Sequence, residues 1–331
     1  MTSIDYCPST LAGGFHTYSP TAIKQLFDGH AVSHILNEGD VDSLTGVKAG
    51  TAMRRISVSG AQEKFPAVID GGTIRIAGDE EQSTHILKPY PWDELLLNRK
   101  QIPANEHLTM QIASQVYGIL TADNGLCFTG KGQPVYITRR FDVKPDLGKW
   151  EMEDFASLVG RNEQTDGKFF KYSGCYEDIA YAIRKFIPAW MVDMERFFDL
   201  VTFNYIYANG DDHLKNFSVI RHGRDFRLAP AYDLLNTSLH VAGDDFGLDG
   251  GLSPNLEKSD VYENTGHPCR EDFYGFGTLI GLPSKRVNRI LDRYMSLPEQ
   301  TKTLTAHSFL NEKMKRTYLR IVSERIARFN R

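Results

Sequence analysis

The sequence predicts an α+β fold of two lobes, with a β-rich N-terminal lobe and a mostly helical C-terminal lobe. The chain has 331 residues, which is rather long for one mixed core and sufficient for two. Short β-prone segments separated by turns dominate the first part of the chain, whereas apolar residues recur at helical spacing through most of the second. We therefore predict lobes over residues 1–141 and 142–331.

Composition and charge are those of an ordinary folded protein. The chain is 41% hydrophobic and 24% charged, and its net charge of −4 argues against a surface that coats nucleic acid. The four cysteines form no CxxC pair, which argues against a disulfide framework or a zinc knuckle. We see no signal peptide and no apolar run long enough to cross a membrane. The expectation is a cytoplasmic protein without membrane or direct nucleic-acid contacts.

The N-terminal lobe begins with one helix and continues as short strands. Ser19 is a predicted N-cap, Pro20 the first helical residue, and Gly29 follows the end of the helix near Phe27. Gly-rich turns at 60–63 and 70–72 separate β-prone segments, which indicates antiparallel connections. The predicted strands cover 54–59, 64–69, 73–76, 84–89 and 134–138.

Helical periodicity marks the rest of the chain. A helix is predicted over 103–117, with Leu108, Ile112 and Val116 on one inward face. After residue 145 we expect helices, interrupted by a single β-hairpin. These helices are predicted near 191–205, 284–295 and 308–329.

The most informative stretch runs from residue 203 to residue 236. Asn216 lies five residues after Asp211, and Asp233 follows seventeen residues later. Apolar runs at 217–220 and 226–228 flank turn residues and predict a hairpin that returns Asp233 beside Asn216. Phosphoryl transfer needs one group to accept the hydroxyl proton and others to hold magnesium, and protein kinases space their Asp and Asn by the same five residues. We therefore predict Asp211 as general base and Asn216 and Asp233 as Mg²⁺ ligands.

Two further segments fit a kinase. Lys88, near the end of a predicted strand, is the candidate lysine for the nucleotide phosphates, with Glu106 on the next helix as its ion-pair partner. An exposed lysine at a sheet edge is the alternative interpretation. The segment 57–64 lies between strands, where a loop covering the phosphates belongs, although it is neither GxxxxGK[ST] nor GxGxxG. A simple hairpin turn remains the alternative there.

Asp245 and His213 could be taken for metal ligands, but the sequence favours other roles for both. The literal triplet Asp245-Phe246-Gly247 lies twenty-nine residues beyond Asn216 in a Gly/Asp-rich stretch, so we predict Asp233 as the metal ligand instead. His213 carries an imidazole, whereas Mg²⁺ prefers oxygen ligands. His213 is therefore predicted to support the loop rather than to bind metal.

Taken together, the motifs resemble those of the HipA kinases, the toxin components of bacterial toxin–antitoxin systems. The motifs are SVSGAQEK (57–64), HILKP (85–89), RRFD (139–142), DDHLKN (211–216) and LAPAYDLLN (228–236). Only about fifty residues precede the first motif, where HipA has an additional subdomain. In this the chain resembles HipT, the kinase of three-component HipBST systems. Arg139 stands where HipA has a glutamate.

The resemblance implies a serine/threonine protein kinase that uses ATP and Mg²⁺ and is the toxin of a type II toxin–antitoxin system. Its implied substrate is an aminoacyl-tRNA synthetase, the tryptophanyl enzyme in the HipT branch. The implied partners are a small antitoxin that supplies the missing subdomain and a DNA-binding antitoxin. Lys88 and Asp211 are the implied catalytic residues, and Ser57 and Ser59 the autophosphorylation sites. The implied nucleotide-binding residues are Ser59, Gly60, Ala61, Lys88, Arg139, Phe141, His213, Lys215, Asn216, Tyr232 and Asp233.

Two other functions remain open from the sequence. The segment GDDHLKN also resembles the GDRHxxN loop of phosphatidylinositol kinases, so a lipid or small-molecule kinase is the main alternative. A degenerate kinase that acts only as a binding module is the second, although the main polar groups of a kinase are all present.

Overall fold

The computed structural model describes residues 4–37, 39 and 62–331. Its helices and strands in chain order are α1 Pro20–Phe27, β1 Phe65–Asp70, β2 Thr73–Ile76, β3 His85–Lys88, α2 Ile102–Gln115, β4 Asn124–Phe128, β5 Pro134–Arg139, β6 Met152–Asp154, α3 Phe155–Leu158, α4 Glu163–Asp166, α5 Tyr176–Phe186, α6 Trp190–Ile206, β7 Ser218–His222, β8 Asp225–Leu228, α7 Asp260–Thr265, α8 Arg270–Leu279, α9 Ser284–Leu291, α10 Glu299–His307 and α11 Glu312–Phe329. Short 3₁₀ helices include Phe170–Tyr172 and Leu214–Asn216. Among the helices of the described ranges, none combines the length and the apolar composition of a membrane-spanning segment.

The N-terminal part is built on a five-stranded antiparallel sheet in the order β2-β1-β3-β5-β4. Successive side chains of a strand point to opposite faces. Val135 and Ile137 of β5 accordingly pack in one cluster with Leu26 of α1, whereas Tyr136 belongs to the other core cluster, which includes Leu108 of α2. Lys88, paired with Tyr136 across β3 and β5, ends its strand on this α2 side.

Helix α2 is buried on almost all sides, whereas the sequence predicted that only one of its faces would pack inward. Every residue from Ile102 to Ala113 is buried, including several polar ones. These find partners in distant parts of the chain: Asn105 donates to the carbonyl of Asn236, and Gln111 donates to Asn124. Polar residues can be buried when hydrogen-bonded, which is why the helix lacks a clear apolar stripe in its sequence.

Several element boundaries differ from the sequence prediction. The N-cap of α1 is as expected, since Ser19 accepts from the N–H of Ala22 at 3.3 Å. Strands β4 and β6 were not predicted, because β4 contains a glycine and β6 is only three residues long. The last helix begins at Glu312 rather than at 308, with Asn311 as its N-cap. The strand predicted over 54–59 lies outside the described residues.

The predicted hairpin after Asn216 is present as β7 and β8. Its strands pair in the register Val219–Leu228 and Arg221–Phe226. Strand β6 adds to its open edge, giving a three-stranded sheet in the order β6-β7-β8. This small sheet places the chain leaving β8 beside the loop that enters β7.

Candidate active site

The loop between α6 and β7 is anchored to the chain that follows Asp233. At the end of α6, Ala208 turns the chain with a left-handed backbone (φ +55°), and the N–H of Asn209 bonds back to the carbonyl of Asn204 at 2.8 Å. Thr237 then accepts from the N–H of Gly210 at 2.9 Å and donates to the carbonyl of Ala208 at 3.1 Å. These bonds fix the backbone immediately before Asp211.

Asp211 and Asp212 are adjacent, but their carboxylates have different environments. The Asp211 carboxylate accepts a hydrogen bond from the phenol of Tyr172 at 3.1 Å. The Asp212 carboxylate accepts from Asn204 at 3.0 Å and from the N–H of Gly247 at 2.9 Å. Burial raises the pKa of Asp212 to about 7, against the opposing effect of its hydrogen bonds. Asp212 thus connects the loop to the protein interior, and Asp211 is the carboxylate placed with Tyr172.

His213 and Asn216 both contain buried polar atoms without a hydrogen-bond partner among the described residues. The atoms are both ring nitrogens of His213 and the Oδ1 of Asn216. Burial lowers the pKa of His213 to about 3, so the imidazole is neutral near pH 7. An unpaired buried acceptor is costly, and a carboxamide oxygen is a ligand type that Mg²⁺ accepts. The Asn216 oxygen therefore fits a metal or a ligand group.

Asp233 follows the hairpin in a left-handed backbone conformation, with φ +57°. Aspartate tolerates this conformation better than most residues other than glycine. The phenol of the preceding Tyr232 donates to the carbonyl of Lys215 at 2.9 Å, which ties this segment to the loop containing Asn216. The hairpin and this bond together bring Asp233 to the predicted neighbourhood.

The Asp233 carboxylate lies between two lysines. Its Oδ1 forms an ion pair with Lys88, and its Oδ2 lies 3.0 Å from the Nζ of Lys64. Burial by itself would raise the pKa of Asp233, but the charges of Lys88 and Lys64 outweigh it and hold the pKa well below its usual range. Asp233 is therefore ionised at neutral pH.

Lys88 is also paired with Glu106 of α2, as the sequence predicted. The Nζ–Oε1 distance is 2.6 Å, and both side chains are almost fully buried. Burial would lower the pKa of Lys88, but the two carboxylates raise it above its ordinary value. Burial raises the pKa of Glu106, against the opposing positive charge of Lys88. The geometry thus joins both lobes through one buried ammonium group.

The other predicted nucleotide-binding residues occupy different places. The Lys215 ammonium pairs with Asp154 of β6, and the ring of Phe141 lies 5.8 Å from that of Tyr232. Arg139 pairs with Asp28 just after α1 at 2.6 Å, away from the Lys88–Asp233 pair. The structure thus does not bring Arg139 to this group. Ser57, Ser59, Gly60 and Ala61 lie outside the described residues.

Asp245 of the literal Asp-Phe-Gly triplet belongs to a separate group of charges. Its Oδ1 pairs with Arg325 and Arg328 of α11, and its Oδ2 lies 2.6 Å from His267. Gly247 approaches the loop between α6 and β7 so closely that an added Cβ would lie 2.5 Å from the backbone nitrogen of Asp212. The triplet therefore joins the C-terminal helix to the loop and is not part of the Asp233 group.

Three residues that interact with Asp211 or Asp233 had no role predicted from the sequence: Lys64, Lys171 and Tyr172. Lys64 ends the SVSGAQEK motif, so its position in that motif was an available signal. Tyr172 precedes Asp211 by thirty-nine residues in an unpatterned stretch, and no sequence signal pointed to their contact. Within the described ranges there is no group of three His, Cys, Asp or Glu able to hold a metal. A magnesium site of one carboxylate, one carboxamide and substrate phosphates needs no such group.

Comparison with known proteins places these motifs in a family. Residues 56–301 match the family model described as "HipA-like C-terminal domain". The chain is 28% identical over 194 residues to "Putative kinase Y4mE" of Sinorhizobium fredii, covering 57% of this chain and 44% of the relative. It is 32% identical over 215 residues to "Putative kinase Y4dM" of the same organism, covering 60% of this chain and 49% of the relative. The chain thus spans about half the length of these two relatives.

The fold also resembles that of a solved HipA structure. HipA in the "Shewanella oneidensis MR-1 Toxin Antitoxin System HipA, HipB and its operator DNA complex" superposes with a TM-score of 0.62 at 18% identity, over 84% of this chain and 65% of that one. The likeness confirms the predicted α+β, HipA-like fold with its β-rich and helical lobes. With three quarters of its length matched by the family model, the chain belongs to the family of HipA-like C-terminal domains.

Proposed function

We propose that this chain is an ATP-dependent serine/threonine protein kinase that acts as the toxin of a type II toxin–antitoxin system. The observation that carries the proposal is the contact of Lys88 with both Glu106 and Asp233, next to the loop that holds Asp211 and Asn216. A strand lysine held by a helix glutamate, a metal-binding aspartate and an Asp…Asn loop are the parts of a kinase active site.

Lys88 binds the α and β phosphates of ATP. Its ammonium is almost fully buried, and Glu106 holds it in place, so little reorganisation is needed when phosphates enter. Bound Mg²⁺ supplies positive charge that neutralises the phosphate oxygens during transfer. Asp233 and Asn216 would hold that ion, and the unpartnered Oδ1 of Asn216 is the observation that fits it.

Lys64 must leave Asp233 when the metal is bound. In the structure it occupies Oδ2 of that carboxylate, and its side chain is 46% exposed, so it has room to move. Asp211 accepts the proton of the acceptor hydroxyl as general base. His213 does not serve as the base, since its pKa of about 3 reflects burial away from any hydrogen-bond partner among the described residues.

The biological role is proposed from the family. HipA-like kinases resemble this chain in motif order, and the HipA of the solved Shewanella complex is bound to HipB and operator DNA. We accordingly assign this chain a HipT-like role: it phosphorylates an aminoacyl-tRNA synthetase, the tryptophanyl enzyme, and stops growth. Its partners are a small antitoxin and a DNA-binding antitoxin.

Autophosphorylation of Ser57 or Ser59 is the proposed regulation. The support for this is that Lys64, the last residue of the same motif, contacts Asp233, the proposed metal ligand. A phosphoserine adds about −1.5 to −2 charges at neutral pH and would repel the triphosphate. Replacing both serines by aspartate is therefore expected to weaken ATP binding, measured by calorimetry; equal affinity would contradict the regulatory role.

The proposed function is tested by phosphoproteomics after brief expression in a susceptible cell. The intact chain and Asp233→Gln are compared, and the expected difference is one dominant phosphopeptide from a synthetase. Growth arrest should require the intact active site and be relieved by co-expression of the small adjacent protein. A radiolabel assay with protein and lipid acceptors separates the main alternative: transfer to lipid alone would refute a protein kinase.

A further inference from the structure

The 3₁₀ helix Phe170–Tyr172 lies beside the predicted general base, although nothing in its sequence suggested this. The phenol of Tyr172 donates to Oδ1 of Asp211 at 3.1 Å, and Tyr172 is only 4% exposed. Hydrogen bonds from a buried donor to a carboxylate are among the stronger ones in proteins. The contact is thus suited to fix the rotation of the Asp211 side chain.

The 3₁₀ helix is held in place by backbone hydrogen bonds from residues 249–250. The N–H of Asp249 bonds to the carbonyl of Tyr172 at 2.9 Å, and the N–H of Gly250 bonds to the carbonyl of Gly174 at 2.8 Å. The ring of Tyr172 packs edge-on against His213, with centroids 5.1 Å apart. Backbone bonds and ring packing therefore leave the phenol little freedom to move away from Asp211.

Lys171 contributes positive charge to the same place. Its ammonium lies 4.9 Å above the ring of Tyr172. Burial lowers the pKa of Lys171, and the negative charge of Asp211 is the largest effect that opposes it. A nearby cation favours the ionised form of a carboxylate, which is the form that accepts a proton.

We propose that Tyr172 is a positioning residue for the general base, and that Lys171 and Tyr172 together keep Asp211 oriented and ionised for phosphoryl transfer. The inference rests on the proposed kinase function, because Tyr172 and Lys171 act here through Asp211, the general base of that function. The charged and titratable groups around Asp211 and Lys171 come from several elements. They are Tyr172 on the short helix, Asp212, His213 and Lys215 on the loop, Lys64, and Asp233 beyond the hairpin. Asp212, with a pKa of about 7, titrates in every variant compared below and so does not account for a difference between them.

The test is the pH profile of kcat/KM for Tyr172→Phe, which removes only the donating hydroxyl. We expect kcat to fall about tenfold to a hundredfold, the effect of losing one hydrogen bond to a charged group. The KM for ATP should stay unchanged. The acidic limb of the profile should move to higher pH by about one unit, because the carboxylate loses a bond that favours its ionised form.

Tyr18→Phe is the matched control. Tyr18 is another buried tyrosine, far from Asp211 in the sheet-and-α1 core, and its hydroxyl donates to the backbone carbonyl of Leu126 at 2.7 Å. Its loss should lower stability by a similar amount without moving the acidic limb. Lys171→Met should move the limb in the same direction as Tyr172→Phe, and Lys171→Arg should restore it. An unchanged limb in an active Tyr172→Phe enzyme overturns the inference.

A second measurement separates this inference from the proposed function. If the unmodified chain transfers no phosphate, the kinase proposal fails, but the pair is still measurable in a double-mutant cycle with Tyr172→Phe and Asp211→Asn. The expected result is non-additive loss of stability in urea unfolding. Additive effects would show that the two side chains are not coupled, and would overturn the inference without reference to activity.

Discussion

Replacement of Asp233 by asparagine is the sharpest test of the site, because it removes one charge and almost no volume. Asparagine also tolerates the left-handed backbone at this position, with φ +57°, so strain is not added. In the unmodified chain the carboxylate is shared by Lys88 and Lys64. The substitution therefore isolates the role of the negative charge.

The expected loss of stability follows from the buried ammonium. Removing one partner of a buried ion pair costs about 3–5 kcal/mol. The lower end, about 3 kcal/mol, is expected for two reasons. Lys88 keeps Glu106 at 2.6 Å as a partner, and Lys64 is half exposed and can return to water. Urea unfolding of both proteins at neutral pH measures the difference.

Activity should fall much further than stability. If Asp233 holds Mg²⁺ as proposed, loss of its carboxylate should lower kcat by about a thousandfold or more and weaken Mg·ATP binding. Asp211→Asn should also abolish transfer but leave ATP binding largely intact, since Asp211 acts on the acceptor hydroxyl. Phosphate transfer and nucleotide affinity are measured on the same folded preparations.

Asp245→Asn is the matched control for the charge change. Asp245 also binds cations, but these are Arg325, Arg328 and His267 in the C-terminal part of the chain. We expect a loss of stability with transfer retained. Near-normal activity of Asp233→Asn together with an inactive Asp245→Asn would refute the assignment of the metal-binding aspartate.

Three further predictions follow from the same contacts. Gly247→Ala should lower stability by about 1–3 kcal/mol in thermal unfolding, because its Cβ would meet the backbone nitrogen of Asp212 at 2.5 Å, whereas Gly243→Ala, with no atom within 4 Å, should change little. Lys88→Met should abolish ATP turnover while the protein remains folded; wild-type turnover would exclude Lys88 from phosphate binding. Folding depresses the pKa of Asp233, so its stabilisation is full above the unfolded pKa near 4 and is lost progressively as the pH falls towards the much lower folded pKa. The difference in urea unfolding from Asp233→Asn should therefore be smaller at pH 3 than at pH 6. A constant difference would contradict this.

The sequence by itself predicted the features that depend on short stretches of chain. The N-cap of α1 at Ser19 and the β7–β8 hairpin after Asn216 follow from turn residues and local patterning, and both are confirmed. The five-residue spacing from Asp211 to Asn216 is likewise local. Such features are set by neighbouring residues and survive any arrangement of the rest of the fold.

The tertiary structure decided what depends on distant chain segments meeting. Helix α2 carries polar residues that look exposed in the sequence but are buried, because their hydrogen-bond partners come from residues as far away as Asn236. Arg139 lies with Asp28, since alternation along β5 turns it to the face opposite Lys88. The phenol of Tyr172 reaches Asp211 across thirty-nine residues. Periodicity and spacing describe one segment at a time, whereas these contacts exist only once several segments have packed against each other.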